Sequence, residues 1–166
     1  TDARACGVRM ASHDDDSAER VRTMAALGVT VSEFPVNLEA ATAARAAGLA
    51  TIFGAPNVGR GGRQSGSMRA VDAIARGVAD GLCADYAPAA MLAAVFRLPS
   101  VSGLAMPAAV RLVTRAPALS VGLVDRGEIA PGLRADLVAV REIAGIPQVT
   151  HAWCAGRLAY AATYPD

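Results

Sequence analysis

The chain contains no lysine, because all 16 of its basic residues are arginine. This absence excludes a Schiff base, a lysine general base and a carbamylated lysine ligand within this stretch. It also lacks any apolar run near the roughly 20 residues that cross a bilayer, so we expect no membrane partner. With 15 acidic residues the formal net charge is only +1, which gives no broad field for nucleic acid. The 166 residues therefore predict a globular domain or large fragment.

Cysteine is scarce, and its three occurrences, Cys6, Cys83 and Cys154, are far apart and odd in number. No charged and then apolar leader precedes them. We therefore predict a reducing, cytoplasmic location, with each cysteine at a buried strand position. The sequence starts at Thr1 without methionine, and we expect further residues before it.

Strand and helix patterns alternate through the first half of the chain. The predicted strands are residues 6–11, 29–34, 49–53 and 80–85, and the predicted helices are residues 18–27, 38–47 and 68–77. Gly28 and Gly48 stand where left-handed helix caps are expected. Such alternation predicts right-handed crossovers and a parallel sheet.

The second half changes character after Asp85. Helices are predicted at residues 87–97, 106–115 and 117–123, followed by a hairpin at 127–132 and strands at 135–140 and 149–154. We therefore divide the chain into an α/β part, residues 1–123, and a β-rich part, residues 124–166. Four βα units make only half of an eight-stranded barrel, which typically needs about 250 residues.

Polar residues end all four predicted parallel strands. They are His13 with Asp14, Glu33, Asn57 and Asp85. Active sites of parallel α/β folds lie at the carboxyl ends of the strands. Imidazole and carboxylate groups suit a hard or borderline divalent metal, with a further carboxylate to take a proton from bound water.

Each of these residues also has a structural interpretation. Asp15 and Asp16 could cap the first helix, as Asp85 could cap the helix near Pro88. Glu33 could form a structural ion pair, and Asn57 could serve the turn after Pro56. His151 alternates within a terminal strand, and we interpret it as structural.

A loop rich in glycine and arginine occupies residues 57–67, just before a helix. Backbone N–H groups, the helix N-terminus and the guanidinium groups of Arg60 and Arg63 would suit phosphate. The loop lacks the Gly-Lys-Ser/Thr ending of a P-loop and is not a dinucleotide fingerprint. A surface lid is the alternative interpretation.

Together these motifs resemble one family in order and spacing. They are Ser12-His13-Asp14-Asp15, Val31-Ser32-Glu33-Phe34-Pro35, Gly54-Ala55-Pro56-Asn57 with Arg60-Gly61-Gly62, and Ala84-Asp85-Tyr86 with Pro88. The chain resembles the alpha-D-ribose 1-methylphosphonate 5-triphosphate diphosphatase family of the carbon–phosphorus lyase pathway, in the amidohydrolase superfamily. The segment from Gly127 to Val138, with Trp153 and Gly156-Arg157, resembles the closing segment of that superfamily.

The resemblance implies the C-terminal half of a distorted (β/α)8 TIM-type barrel plus part of a small β-sandwich. It implies that metal-activated water attacks a phosphorylated sugar substrate in phosphonate catabolism and releases diphosphate. His13 and Asp85 are the expected metal ligands, and Asp85 and Glu33 the expected catalytic groups. Zinc is the first expectation for the metal, with manganese or iron as alternatives. Asp14, Asn57, Arg60 and Arg63 are expected to bind the substrate.

The sequence departs from the family pattern in three respects. The first-strand His-x-His pair and the fourth-strand bridging ligand of the superfamily are absent from this chain. Residues 63–67 read Arg-Gln-Ser-Gly-Ser where a Ser-His-Ser-Gly-Asn-like run is expected, and Glu33 replaces a common histidine.

Two other interpretations of the chain therefore stay open. The chain could belong to a generic amidohydrolase that acts on a C–N bond. It could instead be a non-catalytic partial barrel that pairs with a missing N-terminal half or with a second copy of itself.

Overall fold

A computed structural model describes residue 3, residues 5–59 and residues 67–165. Its first part alternates strands with helices, as the sequence predicts. The elements are β1 (Met10–His13), α1 (Ala18–Ala26), β2 (Val29–Glu33), α2 (Leu38–Ala46), β3 (Ala50–Gly54), α3 (Pro56–Gly59), α4 (Ala70–Ala75) and β4 (Gly81–Cys83). The four strands form one parallel sheet in the order β1-β2-β3-β4.

Three helices and a second sheet follow. They are α5 (Ala90–Ser102), α6 (Met106–Val113), α7 (Arg115–Ser120), β5 (Leu137–Ile143), β6 (Ile146–Cys154) and β7 (Arg157–Ala161). The last three strands are antiparallel in the order β5-β6-β7. The predicted fold class, half of a parallel barrel with part of a β-sandwich, is thus confirmed. The proposed boundary between residues 123 and 124 stays a prediction.

Local sequence signals explain the first two helices. The side chain of Ser17 accepts a hydrogen bond from the Arg20 N–H at the start of α1, and Asn37 does the same for Ala40 in α2. Such caps satisfy N–H groups that the first turn leaves unpaired. Both helices run into glycines, Gly28 and Gly48, with positive φ of 90° and 79°, which confirms the predicted stops.

Small side chains bring the helices close to the sheet. Ala40, Ala41 and Ala44 of α2 are fully buried, so α2 approaches the strands without large gaps. Leu82 of β4 and Leu98 of α5 belong to the larger apolar cluster, in which helices α3, α4, α5 and α6 pack against the sheet. This packing fixes the strands whose carboxyl ends carry the polar residues.

Several predicted elements are wrong in extent or kind. The first strand begins at Met10 rather than Cys6, and residues 127–132 contain no strand. Sequence analysis also missed the short α3 and the strand β7. Cys6 and Cys154 are exposed rather than buried, because Cys6 precedes β1 and Cys154 ends β6 at a turn. No helix within the described residues is both long and apolar enough to cross a membrane.

Candidate functional site

The carboxyl ends of the parallel strands carry most of the predicted residues along one edge of the sheet. His13, the last residue of β1, lies beside Glu33, the last residue of β2, in the register of the two strands. Alternation along the strands places His13, Glu33 and Cys83 on one face, since Glu33 pairs with Ile52 and Gly54 pairs with Cys83. The opposite face, with Ser12 and Ser32, lies toward the helices and is buried.

Three residues that follow strands of the parallel sheet adopt a left-handed backbone although none is glycine. They are Asp14 after β1, Phe34 after β2 and Asp85 after β4, with φ of 56°, 55° and 51°. Such a conformation costs roughly 1–3 kcal/mol and persists only where neighbouring groups hold it. It turns the chain sharply at the strand end and redirects the side chain.

A small pocket of about 110 Å³ opens at this edge of the sheet. We call it the strand-end pocket. Its lining includes three predicted site residues, Asp14, Asn57 and Asp85, beside Phe34 and Gly54. Gly54 lies beside the amide of Asn57, since a Cβ there would be in contact with Asn57 Nδ2 at 3.4 Å. The pocket therefore offers two carboxylates and one amide to a ligand.

His13 lies next to this pocket but is not part of its lining. Its Nδ1 is 2.9 Å from Asp14 Oδ2, and both side chains are more than half exposed. The imidazole also meets the ring of Phe34 edge-on, with centroids 5.1 Å apart. Because Nδ1 is engaged by a carboxylate, Nε2 is the nitrogen suited to a metal or a substrate.

Glu33 has a different neighbour, the thiol of Cys83. Cys83 donates to Glu33 Oε1 over 3.7 Å. Burial raises the pKa of the Cys83 thiol to about 11, and the charge of Glu33 adds to the effect. Both side chains line a second pocket of about 250 Å³ between the sheet and the α7 region, together with Arg9 and Ser120. Glu33 is absent from the lining of the strand-end pocket, which contains Asp85, although both carboxylates lie near the Cys83 thiol.

The proposed capping roles of the acidic residues do not hold. Ser17 caps α1, and Asp15 is instead fully buried under the sheet. The N-cap position of α5 is Ala89, which makes no side-chain hydrogen bond to the helix, so Asp85 is not a cap. Neither Asp15 nor Asp85 therefore acts as a helix cap.

A complete metal centre is not formed by the described residues. Among residues 3, 5–59 and 67–165, no three His, Cys, Asp or Glu side chains are arranged to hold an ion. His13 and Asp85 have suitable donor atoms, but a tetrahedral site needs more ligands than these two supply. The described part of the chain thus does not fit a resident metal on its own. Arg60 and Arg63, which are predicted to bind the substrate, lie outside the described residues.

Sequence analysis missed the roles of Cys83, Ser12 and Ser32. Both serines donate hydrogen bonds to the carboxylate of the buried Asp15. A signal for them exists, because Ser12 precedes His13 as Ser32 precedes Glu33. No comparable signal marks Cys83, whose proximity to Glu33 depends on the pairing of three strands.

Comparison with known proteins places this geometry in a family. The profile of the amidohydrolase family matches residues 2–159. The alpha-D-ribose 1-methylphosphonate 5-triphosphate diphosphatase of Escherichia coli K12 is 40% identical over 156 residues, which are 93% of this chain and 41% of that enzyme. The chain therefore spans less than half the length of this relative.

Solved structures agree on the fold. An amidohydrolase from Thermotoga maritima superposes with a TM-score of 0.74 at 17% identity, over 94% of this chain and 44% of its own. The ochratoxinase of A. niger gives a TM-score of 0.68 at 18% identity, over 96% of this chain and 44% of its own. At such identities the likeness concerns the fold alone.

Proposed function

Because the chain belongs to the amidohydrolase family, we propose that it forms the C-terminal half of a hydrolase that cleaves diphosphate from a ribosyl phosphonate 5-triphosphate. The observation that carries the proposal is the 40% identity to a relative of that name over 93% of this chain. The family profile matches residues 2–159, which include every strand-end motif described above.

The strand-end pocket supports a division of labour among three residues. The amide of Asn57 is a neutral donor suited to a phosphate oxygen. The carboxylate of Asp14 would repel phosphate and instead accepts a hydrogen bond from a sugar hydroxyl. Asp85 follows β4, which is the outer strand of the sheet on the side away from β1. Its carboxylate takes the proton from the attacking water.

The proposed reaction is hydrolysis of one phosphoric anhydride bond. The oxygen of water bonds to the phosphorus nearest the ribose, the anhydride bond to the next phosphorus breaks, and diphosphate leaves. One proton of the water passes to the Asp85 carboxylate. Arg60 and Arg63 are the proposed donors to the leaving phosphates.

Metal dependence is proposed for the longer protein and not for this chain alone. In that protein His13 and Asp85 would be two of the ligands, and residues beyond this chain would supply the others. Zinc is the first expectation, followed by manganese or iron. A cytoplasmic location is also proposed for the longer protein, because its proposed substrate is a phosphorylated metabolite.

A chimera tests the proposal. The 156 matched residues of the E. coli relative are replaced by this chain, and the product is assayed for diphosphate release from the ribosyl triphosphate, with the unaltered relative as control. We expect release by both proteins. A folded chimera that hydrolyses amides but no anhydride would instead support a generic amidohydrolase.

One observation favours a second function, that of a non-catalytic partial barrel. The absence of a three-ligand cluster among the described residues is what such a protein would show. Its partner would be a missing N-terminal half or a second copy. A chimera that folds and performs neither reaction would favour this function.

A further inference from the structure

Asp15 is a buried carboxylate to which the proposed reaction assigns no role. Its side chain is fully buried. The hydroxyls of Ser12 and Ser32 both donate to its Oδ2 over 2.5 Å. Ser12 belongs to β1 and Ser32 to β2, and the two are partners in the sheet. One carboxylate oxygen thus bridges two strands, one residue before His13 and Glu33.

The other carboxylate oxygen is less well satisfied. Oδ1 has no hydrogen-bond donor among the described residues and faces Arg20 Nε at 3.3 Å. Burial of a carboxylate carries a desolvation cost that one partly exposed arginine offsets incompletely. An apolar residue of similar size would avoid that cost. The contacts of this carboxylate therefore point to a geometric role rather than a gain in stability.

Backbone contacts of the same segment extend this bridge. The Val36 N–H donates to the Asp15 carbonyl over 2.8 Å, and the Asp14 N–H donates to the Glu33 carbonyl over 3.0 Å. The loop after β1 is thereby fastened to the loop after β2. The left-handed Asp14 and Phe34 lie within these fastened loops, where strained conformations can be held.

The two fastened loops also supply the neighbours of the His13 side chain. Asp14 holds Nδ1 of His13, and Phe34 packs against the same imidazole. These two neighbours come from different loops, and the contacts of Asp15 join those loops. We propose that Asp15 is a positioning residue that, through Ser12 and Ser32, sets the placement of His13 and Asp14 against the end of β2. This inference rests on the proposed function for its catalytic meaning.

The two histidines of the chain permit a test that does not require activity. In the full chain, the ring proton signals of His13 and His151 are assigned by NMR with a His13→Gln variant. The ring current of Phe34 makes the His13 signal sensitive to its placement. We expect Asp15→Asn to move the His13 signal and leave that of His151 unchanged. Asp16→Asn, an exposed neighbour, should move neither.

A kinetic arm addresses the reaction. In the chimera, Asp15→Asn should lower kcat roughly tenfold to 100-fold with little change in KM, since misplacement of catalytic groups by about 1 Å has effects of this size. Asp16→Asn should retain full activity. A folded Asp15→Asn chain with an unmoved His13 signal would overturn the inference, whatever its stability.

Two further outcomes are distinguishable. If Asp15→Asn does not fold, Ser12→Ala and Ser32→Ala remove one arm of the bridge each, and both should move the His13 signal. If neither does, the inference fails. If the signal moves while the unsubstituted chimera has no diphosphatase activity, the positioning role is supported and the proposed function is contradicted.

Discussion

The thiol of Cys83 lies 3.7 Å from the carboxylate of Glu33, although 50 residues separate them in the chain. The contact crosses β3, which lies between β2 and β4 in the sheet, and Gly54 of β3 pairs with Cys83 in register. The contact therefore joins two polar groups from strands that are not adjacent in the sheet. The thiol is thereby held protonated beside a carboxylate.

This contact predicts slow alkylation of Cys83. Its thiol pKa is raised from 9.0 to about 11, so at pH 8 its thiolate fraction is about 100-fold below that of an unperturbed cysteine. Iodoacetamide labelling followed by mass spectrometry should find Cys83 slowest, with Cys6 and Cys154 as exposed internal controls. Labelling of Cys83 should accelerate as the pH rises toward 11.

Stability should respond to pH in the same window. Because the folded-state pKa of Cys83 lies above the unfolded one, the folded state keeps the proton that the unfolded state loses. The contribution of the Cys83 thiol to the free energy of unfolding is present below pH 9 and declines as the pH rises through 11.

Glu33→Gln removes the nearby charge and should speed labelling of Cys83. Equal rates for Cys83 and Cys6 at pH 8 would contradict the described contact.

Gly127 is predicted to be intolerant of substitution for a reason that Gly132 does not share. Both have positive φ, 94° and 82°. A Cβ on Gly127 would lie 2.7 Å from the Cα of Arg115, whereas a Cβ on Gly132 would meet nothing within 4 Å. Gly132→Ala should cost about 1 kcal/mol from backbone strain alone, and Gly127→Ala at least about 2–4 kcal/mol because backbone must also move.

Urea denaturation of the two variants measures this difference. Gly132→Ala is the matched control, since it changes the same residue type at a similar φ. Equal losses in the free energy of unfolding would show that the close approach of Arg115 to Gly127 is absent in solution.

Much of the parallel sheet could be predicted because its signals are local. Ser17 and Asn37 accept hydrogen bonds from the helices that they precede, and Gly28 and Gly48 end them. These signals depend on neighbours within a few residues. Residues 127–132 were predicted as a hairpin from their glycines, but the conformation there depends on contact with Arg115. Local composition does not encode such a contact.

The candidate site was predictable only to the level of the strand end. Parallel strands end at one edge, so His13, Glu33 and Asp85 could be assigned to it together. Which side chains share a pocket depends on the left-handed turns at Asp14 and Asp85, and aspartate adopts right-handed or extended conformations more readily. Sequence alone therefore could not predict which of these side chains line the strand-end pocket.

Asp85→Asn should strongly lower the turnover rate without loss of stability. The substitution removes the proposed proton acceptor, and loss of a general base typically lowers the rate by about 10²-fold to 10⁴-fold. Asparagine tolerates the left-handed φ of 51° at least as well as aspartate, so the free energy of unfolding should change by less than about 0.5 kcal/mol. Steady-state kinetics and urea denaturation of the chimera measure both quantities, with Asp16→Asn as the control. An active Asp85→Asn chimera would remove Asp85 from the mechanism.

Metal binding should depend on His13 and not on His151. His13 ends β1 beside Asp14, whereas His151 stacks on Trp153 in the separate antiparallel sheet. Elemental analysis should find less than about one equivalent of divalent metal on this chain alone, because its described residues supply too few ligands. The chimera should bind at least about one equivalent and lose it on His13→Asn but not on His151→Asn. A full equivalent on the isolated chain, retained in His13→Asn, would show that the metal is held elsewhere.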